Sequence, residues 1–290
     1  MHLLTTGDSW TFGSEIRDPA LPDTVSDWDP ENNEYRIPKI WPTMLKDMIK
    51  ADDLTNISYP AASNDRIVRT TMSWITENYI KPGLKPEGEL FVVVGLTSPE
   101  RKDFYYKDPV DERHGSGWTT IWPNQTNHPY MQRGMQPFFD NYRMYLWNKE
   151  EFINRYVQQV LQLENFFKVH NIDYMFFQAF YNVDDTQISQ WEDKNYVNSE
   201  TEKMTVGNVD PRWNFHYNGQ NDGWLWEQVD SKRFYGKDTA PHSFHSYITA
   251  QDVTEYNTKV ITGMHPNQYG HMLWARELNR FIRENKVCEI

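Results

Sequence analysis

The chain has 290 residues, is 15% aromatic, holds one cysteine and carries a formal net charge of -12. That charge argues against a general nucleic-acid binder, which needs a basic surface to neutralise phosphates. Cys288 alone permits no intrachain disulfide framework, and no stretch approaches the ~20 apolar residues of a membrane span. The opening Met1-His2-Leu3-Leu4 has neither the basic n-region nor the apolar length of a secretory signal, so the expectation is a soluble protein, cytoplasmic or particle-associated.

Leu3-Leu4-Thr5-Thr6 reads as a strand, stopped in a tight turn by Gly7-Asp8-Ser9, with a second bend at Gly13. A serine just past a buried strand sits on the rim of a sheet, where α/β proteins place chemistry. Gly-Asp-Ser is also a common turn composition, so the tripeptide by itself identifies no site. Residues 14–38, polar and rich in Asp, Glu and Pro, read as a loop over that rim. A helix begins near Trp41-Pro42-Thr43, with Leu45, Met48 and Ile49 facing inward. Asn56 to Tyr59 reads as a short second strand.

The spacing of Val68, Met72, Ile75 and Tyr79 predicts a helix over about 65–80, capped by Ser63 or Asn64. Leu90-Phe91-Val92-Val93-Val94-Gly95 is a continuous apolar run, the pattern of a central strand buried on both faces. Residues 99–149 are irregular and aromatic. A long helix over about 149–170 then places Tyr156, Val160, Leu163 and Phe167 on one face. Ile172 to Phe180 reads as the fourth strand, and residues 181–240 show no clean periodicity. The last helix carries Trp274, Leu278, Phe281 and Ile282. Strands alternating with helices imply an α/β three-layer sandwich: a mostly parallel sheet of about five strands with helices on both faces. The chain reads as a single domain, 1–290, with insertions near 99–149 and 181–240.

In such a sheet the turns after Thr6, Tyr59 and Gly95 share one edge. A serine becomes a nucleophile when a histidine takes its proton and N–H donors stabilise the oxyanion. Ser9, then Ala61 and Ala62, then Leu96-Thr97-Ser98 arrive at that edge, and His265 opens the last helix. Asp8 reads as a turn and cap residue. His271 reads as a strut that holds the last helix against the sheet. His242 and His245 can share a helix face, which makes zinc conceivable, but no Cys or Glu falls at a ligand spacing. No metal or other cofactor is expected.

These stretches together resemble the SGNH, or GDSL-type, hydrolase family. Its first block, Gly-Asp-Ser-Leu-Thr-x-Gly, matches Gly7-Asp8-Ser9-Trp10-Thr11-Phe12-Gly13 except that Trp10 replaces Leu. Its last block, Asp-Gly-x-His-Pro-Asn followed by Gly-His, matches Gly263-Met264-His265-Pro266-Asn267 and Gly270-His271. The resemblance implies a flavodoxin-like topology, with Ser9 as nucleophile and His265 as base. It makes the Ser9 backbone N–H one oxyanion donor and puts the second at Ala61, or else Ala62, where the family has glycine. The family's third donor is an Asn, here replaced by Thr97, with Asn64 nearby as a substitute amide.

The family places an Asp three residues before the His, where this chain has Thr262. Three readings follow. A backbone carbonyl orients His265; or Asp222, Asp230 or Asp238 supplies the carboxylate; or the protein binds without turnover. The implied activity is ester hydrolysis through an acyl-serine, with a small-molecule or carbohydrate acetyl ester as substrate and no nucleic-acid or membrane partner. The alternative is a catalytically degenerate protein on the same scaffold, serving as a carbohydrate-binding or assembly component.

Overall fold

Neighbouring apolar side chains on each strand point to opposite faces, so a strand apolar at every position needs cover on both sides. The computed structural model describes residues 1–81, 89–105, 117–121, 136–146, 149–180, 216–217, 220–221, 223–238, 240–251 and 260–288. Six strands bear on the account: β1 (His2–Thr6), β2 (Asp53–Asn56), β3 (Leu90–Leu96), β4 (Lys102–Tyr105), β5 (Trp118–Ile121) and β6 (Asp173–Gln178). Four of them form one parallel sheet in the order β2-β1-β3-β6. The register sets Leu3 between Leu54 and Phe91, and Val94 beside Phe176.

Helices cover both faces. On one, Leu4, Val92, Val94, Tyr174 and Phe176 pack with α3 (Asn64–Ile75) and α4 (Lys149–Val169), whose Tyr156, Val160, Leu163 and Phe167 are wholly buried. On the other, Leu3, Phe91, Val93, Met175 and Phe177 pack with α2 (Trp41–Ile49), α5 (Phe244–Ala250) and α6 (Gln268–Asn285). Trp274 stacks on Phe244 at 4.7 Å and meets the edge of Phe177 at 5.1 Å. Each such side chain, fully buried, contributes about 1.5–3 kcal/mol of hydrophobic stabilisation. The first strand and the last helix thus share one core.

Three boundaries differ from the sequence expectation. The second strand is Asp53–Asn56, not residues 56–59, because its partner β1 begins at His2 and the register aligns His2 with Asp53. The N–H groups of Ile57 and Tyr59 still donate to the carbonyls of Thr5 and Gly7, at 2.9 and 3.0 Å, so the extended run continues alongside β1. The helix expected over 65–80 starts at Asn64, capped by Ser63 Oγ, which accepts the Arg66 N–H at 3.1 Å. It ends at Ile75 and gives way to one wider turn, Thr76–Ile80.

The third difference is the strand count. The main sheet has four strands among the described residues, and beyond β6 the edge is met by two isolated parallel bridges, Phe176 to Phe234 and Gln178 to Ser243. Segments this short carry no periodic run to read. Within the insertion expected near 99–149, β4 and β5 form an antiparallel pair. Of the one near 181–240, residues 181–215 lie outside the described residues. Among the described residues no helix is long and apolar enough to cross a membrane.

Candidate functional site

The serine is placed by a helix of four residues. Immediately after β1, Asp8 caps α1 (Ser9–Phe12), and its Oδ1 accepts the Trp10 N–H at 3.0 Å. Gly13 closes the turn in the left-handed conformation, φ 85°, with its N–H on the Ser9 carbonyl. A Cβ there would lie 2.2 Å from the Ile40 side chain, so glycine is required twice over. Ser9 is 7% exposed, and no described residue partners its hydroxyl or accepts its N–H. Trp10, which stands where the resemblance expects Leu, meets Phe180 and Phe244 edge-on at 5.0 and 5.1 Å.

Asp8 is the hub beneath the serine. Its Oδ2 accepts from the Thr97 hydroxyl at 2.7 Å and from Arg101 Nη1 at 3.3 Å. Burial pushes this carboxyl above its usual range, while Arg101, the Thr97 hydroxyl, the Trp10 N–H and the charge of His265 pull it back. The same Arg101 nitrogen donates to the Ala62 carbonyl at 3.2 Å, which ties the loop after β2 to the turn that carries Ser9. Ala61 has φ 60°, the left-handed region that favours glycine, and no described residue accepts its N–H. Ala62 donates its own N–H to the Tyr59 carbonyl at 3.1 Å. The N–H groups of Ser9 and Ala61 are thus two backbone donors on this edge without an acceptor among the described residues.

Thr97 and Asn64, the side-chain oxyanion donors expected from the sequence, each have partners among the described residues. The Thr97 hydroxyl is engaged by Asp8. Asn64 clamps the Thr97 backbone, accepting its N–H at 2.9 Å and donating to its carbonyl at 3.0 Å. Both residues are enclosed, at 0% and 1% exposure, and these bonds fix the end of β3.

His265 stands in a two-residue antiparallel ribbon, pairing with Thr262 around the turn Gly263-Met264, and the ribbon packs against α1. The carboxylate beside it is one the sequence reading did not consider. Glu15 Oε1 lies 3.0 Å from His265 Nδ1. The contact has hydrogen-bond length without hydrogen-bond alignment, so Nδ1 is enclosed beside the carboxylate without an in-line bond. Such looseness is common in unliganded sites. Of the carboxylates expected from the insertion, neither Asp230 nor Asp238 pairs with His265. Asp230 accepts the Lys232 N–H in its own turn, at 3.0 Å, Asp238 is exposed, and Asp222 lies outside the described residues.

His271, expected to hold the last helix against the sheet, joins it instead to a neighbouring helix. It is fully buried, and its Nδ1 accepts the Trp41 N–H at 3.2 Å, joining α6 to α2. Burial, with smaller contributions from His265 and Arg36, lowers its pKa to about 3, so the ring is neutral. His242 Nδ1 lies 2.7 Å from the Gly236 carbonyl, and His245 donates its N–H to the Ala179 carbonyl. Among the described residues no group of three His, Cys, Asp or Glu side chains could hold a metal ion.

More than half of the sequence, residues 19–201, matches the model of a family described as "Family of unknown function (DUF6071)". That span lies between Ser9 and His265. No curated protein matches the chain. Among solved structures it is similar to a member of the lipolytic protein G-D-S-L family from Veillonella parvula DSM 2008, at 11% identity over 98% of this chain and 97% of that one, TM-score 0.36. It is similar as well to phospholipase A1 from Streptomyces albidoflavus NA297, at 11% identity over 96% and 98%, TM-score 0.33. At such values the outlines agree too loosely to transfer a site or an activity.

Proposed function

The chain belongs to the family of unknown function DUF6071, a description without an activity, and we propose from its own sheet edge that it is a serine ester hydrolase. One observation carries the reading. The N–H groups of Ser9 and Ala61 have no acceptor among the described residues, beside a serine hydroxyl equally uncommitted. Buried or half-buried backbone donors are nearly always paired in folded proteins. A pair left open at the C-terminal edge of a parallel sheet, next to a histidine turn, has the layout of a site that waits for an oxyanion.

In the proposed cycle Ser9 Oγ attacks the ester carbonyl carbon while His265 Nε2 takes the hydroxyl proton. The tetrahedral oxyanion accepts from the Ser9 and Ala61 N–H groups. Collapse breaks the ester C–O bond, and His265 returns the proton to the leaving alcohol. Water repeats the sequence on the acyl-serine and releases the acid. Each oxyanion donor typically accounts for about 10²–10³ in kcat. With Thr97 bound to Asp8, the hole has two backbone members.

We read residues 1–290 as one domain, since Leu3 at one end and Ile282 at the other enter the same core. A short acyl group on a carbohydrate is the substrate class we favour, by analogy with aromatic loops that flank sugar sites. The test is hydrolysis of p-nitrophenyl acetate by wild type and Ser9→Ala. Loss of about 10³-fold or more in kcat on removal of the nucleophile is expected. An inert wild type with an ordered fold would instead select the non-catalytic binding role.

A further inference from the structure

We infer that Glu15 is the positioning carboxylate of His265 and replaces, from the opposite end of the chain, the acid that the last block lacks. The inference rests on the Ser9–His265 reading and deepens it.

The contact is built on both sides. From the serine side, α1 ends at Gly13, and the N–H groups of Gly13 and Ser14 both return to the Ser9 carbonyl, at 2.9 and 3.0 Å. That tight closure brings residue 15 back toward the serine turn. Glu15 itself is left-handed, φ 68°, and its N–H donates to Asp27 at 2.6 Å. Asn32, fully buried, holds the adjacent Ile16 carbonyl at 2.8 Å and the Asp27 carbonyl at 3.0 Å. Arg36 covers the Phe12 ring at 3.7 Å and donates to the Phe12 carbonyl. The loop over residues 14–38 is thus pinned by two side chains directed at the Glu15 turn. A non-glycine residue at positive φ costs roughly 1–2 kcal/mol, which the surrounding contacts must offset.

From the histidine side, the turn is shaped to receive a carboxylate. The Met264 N–H lies 3.2 Å from Glu15 Oε2, while His265 Nδ1 lies 3.0 Å from Oε1. One oxygen meets a backbone donor and the other meets the ring. Gly263, φ 62°, sits against the same group: a Cβ there would lie 2.4 Å from Glu15 Oε2. A side chain there would push the carboxylate out of this position, and glycine adopts that backbone angle without strain.

A carboxylate at Nδ1 does two things. It holds the ring proton on Nδ1, so that Nε2 is the acceptor the serine needs. It also stabilises the imidazolium that forms as the serine proton arrives. The Glu15 side chain is 38% exposed against 16% for His265, so solvent screens part of this attraction. A loss of about 10²-fold, below the 10⁴ seen for a buried triad acid, is therefore expected on its removal.

The decisive experiment combines a rate with a tautomer. Glu15→Ala and Glu15→Gln are compared with wild type in kcat on p-nitrophenyl acetate across pH 5 to 9. The ¹⁵N shifts of the His265 ring are read above neutral pH in wild type and Glu15→Ala. The expected result is a loss of kcat in both variants, a shift of the ring in Glu15→Ala toward the Nε2–H form, and saturable recovery of Glu15→Ala by added formate. A purely structural Glu15 would give no formate recovery. Unchanged kcat with an unchanged tautomer in Glu15→Ala overturns the assignment. Since the tautomer is read without turnover, an inactive wild type whose tautomer still depends on Glu15 removes the hydrolase reading and leaves the pairing. An unmoved tautomer removes the pairing whether or not the wild type is active.

Discussion

Two polar regions of this molecule differ in what their groups do. Between α3 and α4 a cleft of about 540 Å³ is lined by Asp65, Arg69, Arg155 and Gln159 among others. Every charge named there is answered. Asp65 accepts from Gln159 at 2.6 Å and from the Asp103 N–H at 3.0 Å, and Arg155 donates to Glu151 at 3.0 Å. Asp103, buried beside the cleft, accepts from Ser63, Thr120 and Arg69 at 2.6, 2.7 and 2.9 Å. At the sheet edge, by contrast, Ser9 and Ala61 hold donors with no described acceptor, and His265 lies beside Glu15 without closing the bond. A satisfied network in the cleft is architecture, because each member already has its partner. Under the proposed function, the open hydrogen bonding at the sheet edge is what a substrate completes.

The largest effect that sharpens this contrast concerns His271, the buried strut under the edge. Its pKa falls from 6.5 to about 3 on folding. Between those values the unfolded chain holds one more proton than the folded one, so stability rises with pH there and is lost as pH falls from 6.5 toward 3. The contribution is about 1.4 kcal/mol per pH unit within that window. Urea unfolding of wild type and His271→Asn from pH 3 to 7 should show a steeper acid loss in wild type by about that slope. Parallel curves would mean that His271 is not held neutral by burial.

A smaller effect separates the two regions directly. Asp103→Ala strands Ser63, Thr120 and Arg69 and should cost about 1–3 kcal/mol of stability. The fold that remains should keep its esterase rate within about twofold, because the side-chain partners of Asp103 are Ser63, Thr120 and Arg69 and not Ser9, Ala61 or His265. A rate loss without a stability loss would make the cleft part of the site.

The smallest concerns Ala61. Glycine would relieve its left-handed backbone, a gain of roughly 1 kcal/mol that the freer unfolded chain offsets in large part. Ala61→Gly should therefore shift stability by under about 1 kcal/mol and leave kcat within about twofold, because the N–H stays in place. A large fall in kcat would show that the Ala61 methyl matters more than its N–H.

What was legible in the sequence follows from how far each feature depends on distant partners. The stripe of Tyr156, Val160, Leu163 and Phe167 and the run Leu90 to Leu96 report their own burial, and both are buried as read. The start of β2 depended on where β1 begins, so it moved by three residues. The fifth strand expected of the sheet has only two isolated bridges, at Phe234 and Ser243, in its place among the described residues. Thr97 looked like a donor because its competitor, Asp8, was read only as a cap. Glu15 escaped for a related reason. Its neighbour His265 is 250 residues away, and nothing in the local pattern announces the pair. The available signal was Gly13: a left-handed closure after the serine turn returns the next residues toward it, and Glu15 is the first carboxylate to follow.

The central claim is that Ser9 is an activated nucleophile, and intact-mass analysis after treatment with a fluorophosphonate tests it most directly. One adduct per chain is predicted, mapped to the peptide that holds Ser9, absent in Ser9→Ala and formed more slowly in Glu15→Ala. No adduct on the folded wild type, or an adduct on any other residue, would contradict the account.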